Sequence, residues 1–270
     1  MAKAVTQKAK AAFLKQNKMR IISLAPSVTE TIFVLGYGDK LVGVTEFCNW
    51  PPEAKLVDKI GGFSTPDIKK IISLKPDLVL ATDFHLKIVN YLKEKRINAY
   101  VIEAKTILDA PQSIIQVGEV INCKDKANKL AGELKNEMDA LLEKVKKVPK
   151  KVRVCYLCDI FCVAWRSCAM SKLIEALGGI NIGRNVKSNQ QESILKEIAE
   201  ENPEVIITAK GHRETTDLLS FVKETAYFKK TKAYKNNRIY QIQAELVCRP
   251  GPRAIIGLRK LAKFIHPEVF

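Results

Sequence analysis

The chain contains the same short pattern of apolar and polar positions twice. Pro76 begins the run P-D-L-V-L-A-T-D-F-H and Pro203 begins P-E-V-I-I-T-A-K-G-H, each after an apolar helical stretch. Short apolar runs bounded by helices are typical of strands buried in a parallel sheet. The sequences R-I-I-S-L from Arg20 and R-V-C-Y-L from Arg153 predict one further strand at the start of each half.

Helical patterns follow these opening strands and end at glycines, after Leu35 in the first half and after Leu177 in the second. Each half therefore has the order strand, helix, strand, helix. This order predicts a parallel sheet with right-handed crossovers. The predicted fold class is α/β, with two lobes that each contain a parallel sheet.

One long α-helix is predicted between the halves. From Lys124 to Lys147, apolar residues recur at helical spacing among lysines and glutamates, and the pattern ends before Pro149. The apolar positions are Leu130, Leu134, Met138, Leu141, Leu142 and Val145. The predicted organisation is a basic N-terminal helix or tail (1–18), an N-terminal α/β lobe (19–123), a backbone linker helix (124–148) and a C-terminal α/β lobe (149–270).

Composition limits the partners and the compartment. The 270 residues include 45 Lys and Arg against 29 Asp and Glu, a formal charge of +16, which permits anionic ligands or surfaces. The lysines are spread over helical faces without a nucleic-acid motif, so no nucleic-acid partner is expected. The first eighteen residues lack the apolar core of a secretory signal. The seven cysteines are an odd number, which favours a reducing compartment. We expect a cytoplasmic protein; the alternative is an extracytoplasmic protein whose leader has been removed.

An ordered series of motifs resembles a known family. The motifs are R-I-I-S-L-A-P-S-V-T-E (20–30), L-V-G-V-T-E-F-C-N-W-P-P-E-A (41–54), G-G-F-S-T-P-D (61–67), L-K-P-D-L-V-L (74–80), L-G-G-I-N-I-G (177–183) and C-R-P-G-P-R (248–253). They resemble the helical-backbone (class III) substrate-binding proteins of ABC transporters, which bind vitamin B12, haem and iron chelates, and the cobalamin-binding subgroup is nearest. The resemblance implies two Rossmann-like lobes joined by one long helix, with a ligand cleft between the lobes.

The resemblance also implies a set of ligand-binding residues. It places Trp50 and Phe63 on the N-terminal lobe, Trp165 on the C-terminal lobe, and the loop from Glu245 to Arg249 at the floor or rim of the cleft. Aromatic walls suit a flat macrocycle, because its faces stack on the rings. Arg166 and Arg249 add positive charge, which suits an anionic ligand.

Transporter docking differs from the family pattern. Family members pair a Glu on each lobe with the ABC permease, but the N-terminal loop here reads Asp83-Phe84-His85-Leu86-Lys87, and Glu214 is the only candidate on the C-terminal lobe. A permease partner is therefore left open. We expect a monomer that binds a small metal-containing ligand.

The cysteines suggest a second kind of site. Cys158, Cys162 and Cys168 belong to one fourteen-residue segment, and Cys48 and Cys248 lie in other loops that line the family's cleft. Thiolates there would suit an iron–sulfur cluster, zinc or another thiophilic metal. The alternative is that these cysteines are small buried apolar residues.

Two histidines occupy matching positions of the duplicated run. His85 and His212 each lie nine residues after the corresponding proline. As neutral imidazoles at the mouth of the cleft they could be axial metal ligands. Chance placement is the alternative.

The predicted function is binding of a metal-containing ligand, a corrinoid, a haem or iron chelate, or a cysteine-ligated cluster, rather than catalysis. The alternative is a cytoplasmic metal- or cluster-dependent redox enzyme, or a cluster carrier, that uses the cleft cysteines. No nucleophile triad, phosphate loop or dinucleotide fingerprint is present in the sequence.

Overall fold

Short apolar runs form the strands. A computed structural model describes residues 19–159, 162–163, 168–188, 190–211 and 217–270. In these residues the strands are β1 (Ile21–Ser23), β2 (Leu41–Val44), β3 (Leu78–Thr82), β4 (Ala99–Ile102), β5 (Val152–Asp159), β6 (Cys162–Val163), β7 (Gly179–Asn181), β8 (Val205–Lys210) and β9 (Ile239–Gln243). All three residues of β1 are buried, as expected for a parallel strand that helices cover on both faces.

The described strands form two sheets with the same order. The first sheet has the order β2-β1-β3-β4, and all its pairs are parallel. In the second sheet β7, β5, β8 and β9 follow the same order and are also parallel. The short strand β6 pairs antiparallel with the end of β5. The predicted α/β class with two parallel sheets is confirmed, and β6 is an addition to it.

Helices connect the strands on both sides of the sheets. The described α-helices are α1 (Pro26–Val34), α2 (Ile68–Ser73), α3 (Leu86–Glu94), α4 (Ala110–Val120), α5 (Lys124–Lys146), α6 (Ala169–Ala176), α7 (Gln191–Glu200), α8 (Leu218–Glu224), α9 (Lys232–Lys235), α10 (Glu245–Cys248) and α11 (Ala254–Ile265). Gly36 and Gly178 follow α1 and α6 with φ of 86° and 70°. Glycine adopts this left-handed conformation without strain, so both helices end where the sequence predicts.

The first unit is built around the first sheet. It contains the described residues up to Ala104 together with Pro111–Gly132. Ile22 and Val79 from the sheet form one buried cluster with Ile71 of α2 and Val89 and Leu92 of α3. Both helices therefore cover the same face of this sheet.

The second unit contains Lys105–Ala110 and Glu133–Phe270. One core cluster joins Leu157 and Ile206 of the sheet to Ile194 and Ile198 of α7 and to Phe228. Each unit thus has its own hydrophobic core, which holds the loops at its sheet edges in place.

The long helix α5 has 23 residues, so its length is about 35 Å. Its buried positions are Ala127, Ala131, Leu134, Met138, Leu141 and Val145. They recur every three or four residues, which is the helical spacing that the sequence predicted. The division between the two units falls inside this helix, after Gly132, whereas the predicted lobes lay on either side of it.

No helix among the described residues combines the length and the apolar content that a membrane crossing requires.

Candidate functional site

In both units the candidate ligand-binding residues follow the carboxyl ends of strands. In the first unit, Trp50 lies on the loop after β2, and Phe84 and His85 follow β3 directly. In the second unit, Glu245 and Arg249 follow β9. Ligands of open α/β sheets bind beyond this edge, so the loops at this edge of each unit are candidate ligand-binding segments.

Three rings form a cluster at the sheet edge of the first unit, and we call Phe63, Phe84 and His85 the ring cluster. The ring centres of Phe63 and Phe84 are 5.1 Å apart, and the planes are tilted by 32°. The His85 ring is edge-on to both, with its centre 4.7 Å from that of Phe63 and 5.4 Å from that of Phe84. These spacings are typical of favourable aromatic pairs.

Both ring nitrogens of His85 are hydrogen-bonded, one to Thr82 and the other to Phe63 of the ring cluster. The backbone N–H of Thr82 donates to Nδ1 at 3.3 Å, so Nε2 carries the proton and donates to the carbonyl oxygen of Phe63 at 2.8 Å. Burial lowers the pKa of His85, although the hydrogen bonds to Phe63 and Thr82 oppose this shift. The imidazole is therefore neutral at pH 7.

The structure contradicts the prediction that His85 could be a metal ligand. The side chain is only 2% exposed, and neither nitrogen has a lone pair free for a metal. The sequence placed His85 correctly after β3 but could not show that the ring points inward to Phe63.

Apolar side chains at this edge are exposed to solvent. The exposed fractions are 58% for Phe47, 61% for Phe84 and 52% for Leu86. Phe84 and Leu86 line a pocket of about 400 Å³ together with Ser64, Asp83, His85, Lys87 and Ile88. An exposed apolar surface next to a pocket is typical of a ligand-binding site.

A lysine fixes the loop that contains Trp50, a half-buried residue joined to Pro51 by a cis peptide bond. The ammonium of Lys59 donates to the carbonyl oxygens of Cys48 at 3.1 Å and Ala54 at 2.9 Å. Burial lowers the pKa of Lys59, and the neighbouring Cys48 opposes the shift. Lys59 thus links the two ends of the loop, at Cys48 and at Ala54.

Cys48 belongs to a buried network of hydroxyl groups. Its sulfur lies 3.1 Å from the hydroxyl of Thr29 and 3.2 Å from that of Thr45, and the side chain is 1% exposed. The Thr29 hydroxyl also lies 2.9 Å from that of Ser23. These contacts join β1, α1 and the loop after β2, which is the packing role considered as the alternative to metal binding.

The structure gives no support to the predicted iron–sulfur or thiolate metal site. Cys158 is disulfide-bonded, which contradicts its role as a ligand, because a disulfide sulfur is not a thiolate donor. Within the described ranges, no three His, Cys, Asp or Glu residues are grouped so that they could hold a metal ion. Spacing along the chain predicted convergence, but Cys48 bonds within the first unit instead.

Two other predicted thiols lie near each other in the second unit. Cys168 is half-buried and caps α6, where its sulfur accepts from the backbone N–H of Ser171 at 3.4 Å. Cys248 is a free cysteine and is exposed as a residue. Burial of its thiol group raises the pKa of the thiol, Arg249 opposes this shift and Cys168 adds to it. Burial also raises the pKa of Tyr156, with smaller contributions from both cysteines.

Charged side chains lie at the carboxyl edge of the second sheet. The carboxylate of Glu245 lies 3.4 Å from the guanidinium of Arg249 and 3.0 Å from that of Arg253. The three side chains are between 14% and 28% exposed. Two guanidinium groups thus contact one carboxylate, and an anionic ligand at this segment stays a prediction.

Several predicted residues lie outside the described part of the chain. They are Trp165, Arg166, His212 and Glu214, and the side chain of Cys162. Their predicted roles remain predictions.

Sequence reasoning missed Phe84 and Phe47 as site residues. Phe84 comes directly after the apolar run of β3, and an aromatic residue at the carboxyl end of a predicted parallel strand was the signal that could have identified it. Phe47 lies three residues after the end of β2, so the same signal applies to it.

Comparison with known proteins gives consistent matches over most of the chain. A family model described as periplasmic binding protein matches residues 21–246. An uncharacterised ABC transporter substrate-binding lipoprotein of Bacillus subtilis is 30% identical over 268 residues, which are 95% of this chain and 83% of that protein. The vitamin B12-binding protein of Vibrio parahaemolyticus is 28% identical over 241 residues, with coverage of 87% and 85%.

A solved structure has the same fold. The periplasmic heme-binding protein from Roseiflexus in its apo form has a TM-score of 0.80 and 23% identity, over 94% of this chain and 100% of that one. At this identity the likeness shows the fold alone.

These relatives correct the predicted cytoplasmic location, which is wrong. The relatives are a lipoprotein and periplasmic proteins, and such proteins work outside the cytoplasm. Lysine content and an odd number of cysteines describe the surface and the core, and neither determines the compartment. The disulfide at Cys158 is consistent with an oxidising compartment.

Proposed function

Since the chain belongs to the periplasmic binding protein family, as a substrate-binding protein of the ABC-transporter type, we propose that it binds a corrinoid outside the cytoplasm and delivers it to an ABC permease. The matching family model and the relative from Bacillus subtilis confirm the family resemblance of the sequence motifs. The prediction of a binding protein rather than an enzyme is also confirmed, because the relatives are substrate-binding proteins.

The observation that carries the proposal is the exposed ring of Phe84, the outer member of the ring cluster, which lines the pocket. Phe84 is 61% exposed while its neighbours Phe63 and His85 hold it in place. A rigid exposed ring loses little conformational entropy when a flat macrocycle stacks on it. The face of a corrin or a porphyrin is a ligand surface of this kind.

The charge at the second sheet edge supports a ligand with anionic groups. Arg249 and Arg253 exceed Glu245 by one positive charge. A corrinoid with its nucleotide loop has a phosphodiester, and guanidinium groups bind phosphate through paired hydrogen bonds. The guanidinium groups of this segment would suit such a phosphodiester.

The choice of a corrinoid over a haem rests on the B12-binding relative and on the two described histidines, since His212 lies outside the described residues. In the part of the chain that the structure describes, both nitrogens of His85 are engaged, and His266 contacts Leu177 and Glu268 through its two nitrogens. A haem iron usually requires an axial ligand from the protein, whereas a corrinoid cobalt brings its own axial base. The B12-binding relative from Vibrio agrees with this choice.

An optical titration of the purified full chain tests the proposal. We expect cyanocobalamin to bind with a dissociation constant of about 1 µM or lower, measured from the change in its visible spectrum, and haemin to bind at least tenfold more weakly. Binding of haemin alone would contradict the choice of a corrinoid. Binding of neither ligand at concentrations far above this value would contradict the proposed function.

A further inference from the structure

Two exposed segments of the first unit concentrate positive charge. Residues 68–76 contain three lysines and no carboxylate, and residues 87–97 contain four cations and one carboxylate, Glu94. We call these two segments the basic face. Its cations, all exposed, are Lys69, Lys70, Lys75, Lys87, Lys93, Lys95 and Arg96.

The two segments belong to one surface. α2 and α3 pack against the same side of the first sheet through Ile71, Val89 and Leu92. Their outward sides therefore lie on the same side of the unit. Apart from Lys87, which also lines the pocket beside Phe84, the cations of this surface lie outside the ring cluster and its pocket.

Among the described residues, the cations of the basic face form no ion pairs with carboxylates. The exposed cations near α5 behave differently, since Lys135 pairs with Asp139, and Arg259 lies 2.7 Å from Glu137. The positive charge of the basic face is thus available to an external anionic surface.

Apolar side chains are interleaved with these cations. Ile72 is 37% exposed and Tyr91 is 40% exposed, and the ammonium of Lys95 lies 5.5 Å from the centre of the Tyr91 ring. At the end of α3 an open groove of about 490 Å³ is lined by Lys93, Arg96, Ile97, Asn98, Ala99 and Tyr100. Tyrosines beside lysines are typical of surfaces that lie at a membrane interface.

We propose that the basic face binds the anionic phospholipid bilayer and holds the protein against the membrane surface. Charge complementarity selects the partner, because the lipid headgroups are a dense array of phosphates. The proposed extracytoplasmic function makes the bilayer the polyanion within reach and argues against nucleic acid. In this arrangement Tyr91 and Ile72 enter the headgroup layer while the lysines contact phosphates.

Vesicle flotation with the full chain tests this proposal. We expect the protein to float with phosphatidylcholine vesicles that contain phosphatidylglycerol and not with vesicles of phosphatidylcholine alone. Raising the NaCl concentration from about 0.1 M to about 1 M should release it, because the screening length falls to about 3 Å. The triple variant Lys69→Gln, Lys93→Gln, Lys95→Gln should bind about one hundredfold more weakly.

A matched variant separates the basic face from net charge. Lys229→Gln, Lys230→Gln, Lys235→Gln removes the same charge from exposed positions of the second unit, and we expect less than a threefold loss of vesicle binding. Circular dichroism should show both variants folded. Equal losses in the two variants, or flotation that does not depend on phosphatidylglycerol, would overturn the proposal. A preference for a single-stranded oligonucleotide over these vesicles at the same salt concentration would also contradict it.

Discussion

Phe84→Ala is expected to weaken the binding of cyanocobalamin by about tenfold to seventyfold. The 61% exposed ring can bury about 60–100 Å² against a ligand face, which corresponds to about 1.5–2.5 kcal/mol. His85 and Phe63 remain in place without Phe84, because the hydrogen bond between them does not involve it. The fold should therefore be unchanged, and the optical titration measures the loss directly.

Two further variants define the cause of this loss. Tyr100→Ala removes an aromatic residue that is 46% exposed in the same unit, on the edge strand β4, and should leave the dissociation constant unchanged. Phe84→Leu keeps apolar area without a ring and should recover part of the affinity. An affinity equal to that of the original chain in Phe84→Ala would remove the ring cluster from the proposed site.

Gly257→Ala is expected to destabilise the second unit by about 1–3 kcal/mol. A Cβ atom at Gly257 would lie 2.0 Å from the carbonyl oxygen of Leu246 and 2.7 Å from its carbonyl carbon. Since both atoms belong to the backbone of α10, the clash can be relieved only by moving that helix away from α11. Thermal unfolding should show a midpoint lower by about 2–10 °C.

Gly132→Ala is the matched control for this prediction. Gly132 lies within α5, and a Cβ atom there would meet nothing within 4 Å. Alanine favours a helix interior over glycine by about 1 kcal/mol, so the control should be as stable as the original chain or more stable. A Gly257→Ala variant that unfolds at the original temperature would show that α10 and α11 do not pack as closely as described.

Much of the fold could be predicted from sequence because its signals are local. The runs after Pro76 and Pro203 combine β-branched residues with a proline that ends the preceding helix, and they form β3 and β8. The glycines after α1 and α6 stop the helices by backbone conformation alone. The antiparallel strand β6 could not be predicted in this way, because two residues carry no periodic pattern.

The site was harder to predict because side-chain direction depends on distant residues. His85 was placed at the correct sheet edge, but its role depends on a carbonyl group 22 positions earlier in the chain, at Phe63. Cys48 was expected at a metal site, whereas its sulfur contacts Thr29, which lies 19 positions earlier. Spacing along the chain does not reveal such contacts.

Hydrogen–deuterium exchange with and without cyanocobalamin tests the central claim most directly. Saturating ligand should slow exchange in residues 45–51, 61–67 and 83–86 of the first unit and in residues 244–253 of the second, since these loops follow the carboxyl ends of the strands. The basic face should exchange at the same rate in both samples. Protection confined to other segments, or no protection at saturation, would contradict the account.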